Sequence, residues 1–302
     1  MDQAIIKSDR LSVYYGRQRG VHNLDMQVVP GEVYGFLGPN GAGKTTTIRV
    51  LMDIIRPTAG RASVFGLDCQ KDGVRIRHRV GYLPGELNLY AHMRADQYLK
   101  MVAAVRGNSV ETTYYDNLCS QLDLDTRRQM QTYSHGNKQK VGLVAAFMGK
   151  PDLLILDEPT SGLDPLAQQT VLELVRQARS EGRTVFFSSH NLSEVQAVCD
   201  RVGIIRDGQL VAAEQVENLT RKQFHRLRLT LEQNPPNEAF DLPGVSLISR
   251  EDKTFTLEIT DNLNETLARS VNYQVLDLET QPVTLEEVFM AYYGEGRRNE
   301  DV

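Results

Sequence analysis

EVYGFLGPNGAGKTTTIRVL, residues 32–51, decides how this chain is read. Its first residues are an apolar run short and continuous enough for a strand buried on both faces. GPNGAGKTT, residues 38–46, then satisfies GxxxxGK[ST] in the context that pattern requires, between a strand and the start of a helix. Gly38, Gly41 and Gly43 let backbone N–H groups turn inward around phosphate oxygens. Lys44 is placed to reach terminal phosphates and the Thr45 hydroxyl to ligate Mg²⁺. The whole segment Gly38, Pro39, Asn40, Gly41, Ala42, Gly43, Lys44, Thr45 and Thr46 is the expected nucleotide cradle.

Two further strand ends carry chemistry of the same kind. LLILDEP, residues 153–159, closes an apolar run on adjacent carboxylates. In an open parallel sheet, ligands bind beyond the carboxyl ends of the strands, which brings Asp157 and Glu158 beside the phosphate loop. There Asp157 suits a Mg²⁺ held through water, and Glu158 a general base polarising the attacking water. FFSSHN, residues 186–191, ends a third strand on His190, whose imidazole can contact the γ-phosphate and orient that water. A solvated acidic strand end and a structural histidine are the plainer alternatives.

Short Val-, Ile- and Phe-rich runs alternate with helical patterns from Ala4 to about Thr220, which reads as an α/β domain over residues 1–220. In PLAQQTVLELVRQARSEG, Asp164 stands as N-cap, Pro165 as first helical residue and Gly182 just past the end. Residues 88–130 break the alternation, reading as helix after helix, so a helical insertion is expected over about residues 88–150. Asp207-Gly208 is a hairpin signal. Beyond Arg221, RLRLTLE and TFTLEI alternate with period two, ETLARS reads as a short helix, VLDLET as a strand and TLEEVFMAYYG as a closing helix. A small α+β accessory domain over residues 221–302 fits.

TYSHGNKQKVGLVAAFMGK, residues 132–150, opens like a capped helix and runs into an apolar one. Phosphate loop, YSHGN, LLILDEP, SGLD and the SSH histidine follow one another in the order of ABC-type ATPase subunits, and over roughly residues 4–220 the chain resembles them. The resemblance implies a P-loop NTPase fold of ABC type and a head-to-tail homodimer that sandwiches two ATP molecules. It implies that Ser134, Gly136 and Asn137 face ATP bound on the second copy, while Ser134 is also placed to cap its own helix. Tyr15 becomes the candidate for stacking on adenine, with Tyr14 on the opposite strand face. Asp164 becomes a link between the two ATP sites as well as an N-cap.

The chain departs from the family pattern in two places. The usual Leu-Ser-Gly-Gly-Gln is here Tyr133-Ser134-His135-Gly136-Asn137. After VGYLP, where such ATPases commonly carry a Gln that touches Mg²⁺ and water, stands Gly85, which has no side chain to ligate anything. Glu86 offers a carboxylate one position later, or Gly85-Glu86 is simply a turn.

Bulk properties restrict the setting. Among 302 residues the formal net charge is −5, which argues against a nucleic-acid surface. Cys69, Cys119 and Cys199 have no metal-like spacing and read as core residues of a reducing compartment. MDQAIIKSDR shows no secretion signal, and no window approaches the roughly 20 apolar residues of a membrane span. Within those limits the resemblance to ABC-type ATPase subunits implies the cytoplasmic ATP-hydrolysing subunit of an exporter, peripheral to the inner face of the membrane and docking on separately encoded multi-span permease subunits. A soluble mechanical ATPase of the same superfamily is the alternative, but Lys44 and Ser134 leave no room between them for a long coiled coil, and there is one P-loop. A small-molecule kinase would have no use for YSHGN or SGLD.

Overall fold

Val33–Leu37, the run that precedes the phosphate loop, is a strand buried along its whole length. It belongs to a computed structural model that describes residues 4–107, 110–221, 225–259 and 261–281. The chain begins with β1 (Ile6–Tyr15), β2 (Gln18–Val28), β3 (Val33–Leu37), α1 (Lys44–Leu51), β4 (Ala59–Val64), β5 (Leu67–Asp68), α2 (Gly73–Arg79) and β6 (Val80–Leu83). Three helices follow, α3 (Ala95–Arg106), α4 (Thr112–Gln121) and α5 (His135–Phe147). Then come β7 (Leu153–Asp157), α6 (Pro165–Ser180), β8 (Thr184–Ser189), α7 (Leu192–Val198), β9 (Arg201–Arg206) and β10 (Gln209–Gln215).

Six of these strands form one sheet in the order β10-β9-β3-β8-β7-β6. The pairings β3 with β8 and β9, β7 with β8, and β6 with β7 are all parallel. Layers on both faces explain why β3, β7 and β8 carry no polar alternation. Phe186 of β8 packs against Tyr34 and Phe36 of β3, with ring centroids 5.9 and 5.3 Å apart. Parallel alignment puts the ends of β3, β7 and β8 side by side, and the loops bearing Gly38, Glu158 and His190 leave the sheet together.

A second sheet, β2-β1-β4-β5, joins β1 to β2 and β4 in antiparallel pairs. In the sequence its strands merge with the alternating α/β pattern. Register shifts between Ser8 and Leu11, Leu11 and Val13, and Val13 and Tyr14 break the two-residue period that would have marked it. The expected helical region is observed as α3, α4 and α5, with the isolated bridge Arg94–Gln129 as its β-type pairing among the described residues. Asp207 and Gly208 turn with φ of 47° and 78°, the left-handed pair that a two-residue hairpin needs.

The chain divides into two compact units, Met1–Glu214 and Gln215–Val302, so the division falls a few residues before the expected boundary. The second contains α8 (Val216–Arg221), β11 (His225–Leu231), β12 (Val245–Glu251), β13 (Thr254–Ile259), α9 (Leu263–Val271) and β14 (Val275–Gln281). Its antiparallel sheet has the order β12-β13-β11-β14. Leu227, Leu229, Leu231, Phe255, Leu257 and Ile259 form a small core with Phe240, and Leu263 and Leu267 of α9 pack against it. β12 escaped the sequence reading because it is an edge strand with little buried surface, and so shows no apolar alternation. TLEEVFMAYYG and the tail after it lie outside the described residues.

Candidate active site

The phosphate loop turns between β3 and α1 through backbone conformations that glycine alone adopts cheaply, with φ of 82° at Gly41 and 111° at Gly43. Close packing adds a second constraint, since a Cβ at residue 38 would overlap the Ile205 carbonyl, and one at residue 43 the Gly20 carbonyl. The β9–β10 hairpin braces the loop from behind. Gly208 N–H donates to Ala42 O at 3.0 Å, and His22 N–H to Gly208 O at 2.7 Å. Lys44 is buried, and its Nζ donates to Gly38 O at 2.6 Å and Pro39 O at 3.2 Å. Pro39, Asn40 and Ala42 lie in the same turn, and Thr45 and Thr46 are half-buried in the first turn of α1.

Asp157 and Glu158 end β7 differently. Asp157 is fully buried, and its Oδ1 accepts a 2.6 Å hydrogen bond from Ser188 Oγ. Its Oδ2 is buried and lacks a hydrogen-bond partner. A buried carboxylate oxygen with no donor is costly unless a cation or water meets it. That orphaned oxygen fits the chemistry of a Mg²⁺ site, which uses one or two carboxylates together with phosphate oxygens. Among the described residues no group of three or more His, Cys, Asp or Glu is placed to hold a metal without such help.

Gly85 lies against the same oxygen, for a Cβ at residue 85 would stand 3.1 Å from Asp157 Oδ2. The missing side chain therefore brings backbone up to the carboxylate, where the family pattern has a Gln. Glu86, the next residue, is exposed.

Glu158 adopts φ 50°, a left-handed conformation that costs a non-glycine residue about 1–2 kcal/mol. Its N–H donates to Ser188 O at 3.2 Å and to Ser188 Oγ at 3.1 Å, which pins it to the end of β8. The carboxylate then spans two partners, with Oε1 3.1 Å from Lys44 Nζ and Oε2 2.6 Å from His190 Nδ1. The His190 side chain is half exposed, at 53 %. Three residues from separate sequence motifs thus meet through one carboxylate.

Ser134 does cap α5, its Oγ accepting from Asn137 N–H at 3.2 Å. The segment also rests on the SGLD loop, since a Cβ at Gly136 would stand 2.8 Å from Gly162 O, and one at Gly162 would overlap the His135 ring. Asp164 caps α6 by accepting from Leu166 N–H at 3.1 Å and Ala167 N–H at 3.0 Å. The Ala167 hydrogen bond leads the causes that hold its carboxyl below the usual range. Tyr15 is exposed at 49 %, with its hydroxyl 3.5 Å from Thr46 Oγ1, whereas Tyr14 OH lies 2.8 Å from His22 Nδ1. The two tyrosines serve different neighbours, and Tyr15 is the one beside the phosphate loop.

Three side chains of this region went unread in the sequence. Ser188 links Asp157 to the Glu158 backbone. Glu194 is buried and accepts from Thr160 Oγ1 and Ser189 Oγ, both at 2.7 Å, tying the segment after β7 to the end of β8. Gln139, buried on α5, donates from Nε2 to Glu158 O at 3.2 Å and Pro159 O at 3.3 Å. Gln139 stands between Lys138 and Lys140 in the polar first turns of α5, so nothing in the sequence marked it as buried.

The ABC transporter family matches residues 21–161. The bacitracin transport ATP-binding protein BcrA of Bacillus licheniformis is 37% identical over 75% of this chain and 75% of its own length. The linearmycin resistance ATP-binding protein LnrL of Bacillus subtilis (strain 168) is 31% identical over 98% of this chain and all of its own. The daunorubicin resistance ATP-binding protein DrrA3 of Streptomyces coeruleorubidus is 31% identical over 99% and 98%. A solved ATP-binding subunit of an ABC transporter superposes with a TM-score of 0.66 at 29% identity, over 72% of this chain and 92% of that one. A dimeric ATP-binding cassette in a post-hydrolysis state, bound to ADP and Pi, has the same fold at a TM-score of 0.64, with 18% identity over 70% of this chain and 98% of that one.

Proposed function

The chain belongs to the ATP-binding subunits of ABC transporters, and from that membership we propose that it hydrolyses Mg²⁺·ATP between two copies of itself to drive a drug- or antibiotic-type exporter. The observation that carries the catalytic part is the position of Glu158, held between Lys44 and His190 at the mouth of the phosphate loop.

ATP enters with its phosphates in the loop Gly38–Thr46, where N–H groups and the N-terminus of α1 favour negative charge. Lys44 Nζ turns to phosphate oxygen, and Tyr15 stacks on adenine. Asp157 and Thr45 would hold Mg²⁺, with Glu86 a further candidate ligand on the loop that Gly85 brings against Asp157. The cation would neutralise phosphate charge. Glu158 takes the proton of the attacking water as general base, and His190 orients that water toward the γ-phosphate. In a head-to-tail pair, Ser134, Gly136 and Asn137 of one copy close on the ATP of the other, and Asp164 links the two sites.

Coupling to a membrane protein is supported by the surface of the helical region. A cavity of about 440 Å³ is lined by Leu87, Leu89, Tyr90 and Met130, with Lys138 at its wall. Tyr90 is exposed and packs its ring against Tyr98. Such a surface suits a short helix of a separately encoded permease. No helix among the described residues is long and apolar enough to cross a membrane. We place the chain at the cytoplasmic face, where ATP is present.

The test is a pull-down of the tagged chain from detergent-solubilised membranes of its host, with mass spectrometry of what accompanies it. A multi-span membrane protein in stoichiometric amount is the expected result. Recovery of ribosomal or DNA-associated proteins instead would leave the ATPase chemistry and remove the transport role.

A further inference from the structure

We propose that Gln139 is a positioning residue for Glu158, which fixes the aim of the catalytic carboxylate from the helix that begins with the Ser-His-Gly-Asn segment. The proposal rests on the reading of Glu158 as the group that activates water.

The geometry at residue 158 needs restraint from both sides. A left-handed Glu persists only where its surroundings over-determine it. On the amino side, Ser188 receives the Glu158 N–H through both its carbonyl and its hydroxyl. On the carboxyl side, the Glu158 carbonyl accepts from Gln139 Nε2 and from Ser161 N–H at 3.1 Å. The Gln139 amide also reaches the next carbonyl, that of Pro159. Both partners are acceptors, which fixes the NH₂ end of the amide toward them. Gln139 is 2 % exposed, so water offers those carbonyls no easy substitute at this point.

Residue 139 stands on α5, which begins at the Ser134 cap. The same helix touches the segment after β7 a second time, where Gly136 meets the Gly162 carbonyl. The segment between Glu158 and Gly162 is thereby held to α5 at both ends. A displacement of α5 at its Ser134 end is carried by Gln139 to the peptide that sets whether Glu158 points between Lys44 and His190. The catalytic carboxylate thus follows the position of the segment that faces the second copy's ATP.

The test compares Gln139→Glu, nearly the same shape with an acceptor in place of the donor, and Gln139→Met, which removes the donor without adding charge. Each is made in the wild-type chain and in Glu158→Gln, and turnover, KM for ATP, binding of a fluorescent ATP analogue and the unfolding midpoint are measured. We expect at least a tenfold loss of kcat with nucleotide affinity within about twofold of wild type. In Glu158→Gln the same changes cost nothing further, because the group they aim is already gone. Lowering the pH restores Gln139→Glu relative to wild type, since a neutral carboxyl again donates a hydrogen bond.

An unchanged kcat in a folded Gln139 variant overturns the proposal, as does an equal loss in both backgrounds, or a fall in affinity that matches the fall in kcat. Wild-type turnover in Glu158→Gln removes the Glu158 reading together with this one. Loss of turnover in Glu158→Gln beside Gln139 variants that keep wild-type kcat removes this one alone. If one Gln139 variant fails to fold, the other carries the comparison.

Discussion

Lys44 Nζ and Glu158 Oε1 lie 3.1 Å apart, so the cation of the glycine-rich loop and the carboxylate proposed as general base are in contact. A phosphate entering the loop competes with that carboxylate for the ammonium. Lys44→Ala should raise the ATP dissociation constant by about 10–100-fold, the value of a charge-assisted hydrogen bond. Glu158→Gln should keep binding and ATP-induced dimer closure while turnover falls at least about 10². Nucleotide titration and phosphate release separate the two roles, and wild-type turnover in the Gln variant would remove Glu158 from the mechanism.

Ser188→Ala strips Asp157 Oδ1 of its donor while Oδ2 already lacks one. A buried acceptor left unpaired costs about 1–3 kcal/mol. The urea midpoint of the metal-free chain should fall accordingly, and Mg²⁺·ATP should recover part of the loss. An unchanged midpoint would mean that water reaches this carboxylate.

Gly43→Ala meets two penalties, a φ of 111° and the Gly20 carbonyl. The backbone strain alone is about 1–2 kcal/mol. We expect a lower melting temperature and a phosphate loop that no longer holds ATP. Wild-type affinity in this variant would contradict the close packing described above.

Tyr15→Ala should act on binding and not on chemistry. Base–aromatic stacking contributes about 1–3 kcal/mol. KM for ATP should therefore rise by roughly 5–150-fold, with kcat little altered. A fall in kcat with KM constant would place Tyr15 somewhere other than against adenine.

A chain ending at residue 225 keeps the unit that contains every proposed nucleotide contact. It should bind ATP as the full chain does. Loss of binding in a folded truncation, judged by circular dichroism, would draw the second unit into the site.

Much of the site was legible because its parts are local. Gly38–Thr46 carries its strand, turn and helix start within a few residues, and the Asp157-Glu158 pair and His190 each end an apolar run. Ser134 and Asp164 were legible as caps for the same reason, since a cap and its N–H partner are two or three residues apart. Strands β1 and β12 were harder, one because shifts of register break its period and the other because an edge strand buries little.

The sequence by itself determined the covalent order of the motifs, the strand–loop–helix of the proposed phosphate cradle and the residue types able to do the chemistry. Only the tertiary structure decided that Lys44, Glu158 and His190 touch, that Ser188 and Gln139 grip the Glu158 backbone, and that Gly85 lies against Asp157. The reason is sequence distance. Those contacts join residues 19 to 114 positions apart, between Gln139 and Glu158 at one extreme and Lys44 and Glu158 at the other. No local propensity or period encodes such a pairing, which exists only once parallel strands have brought their carboxyl ends to one edge.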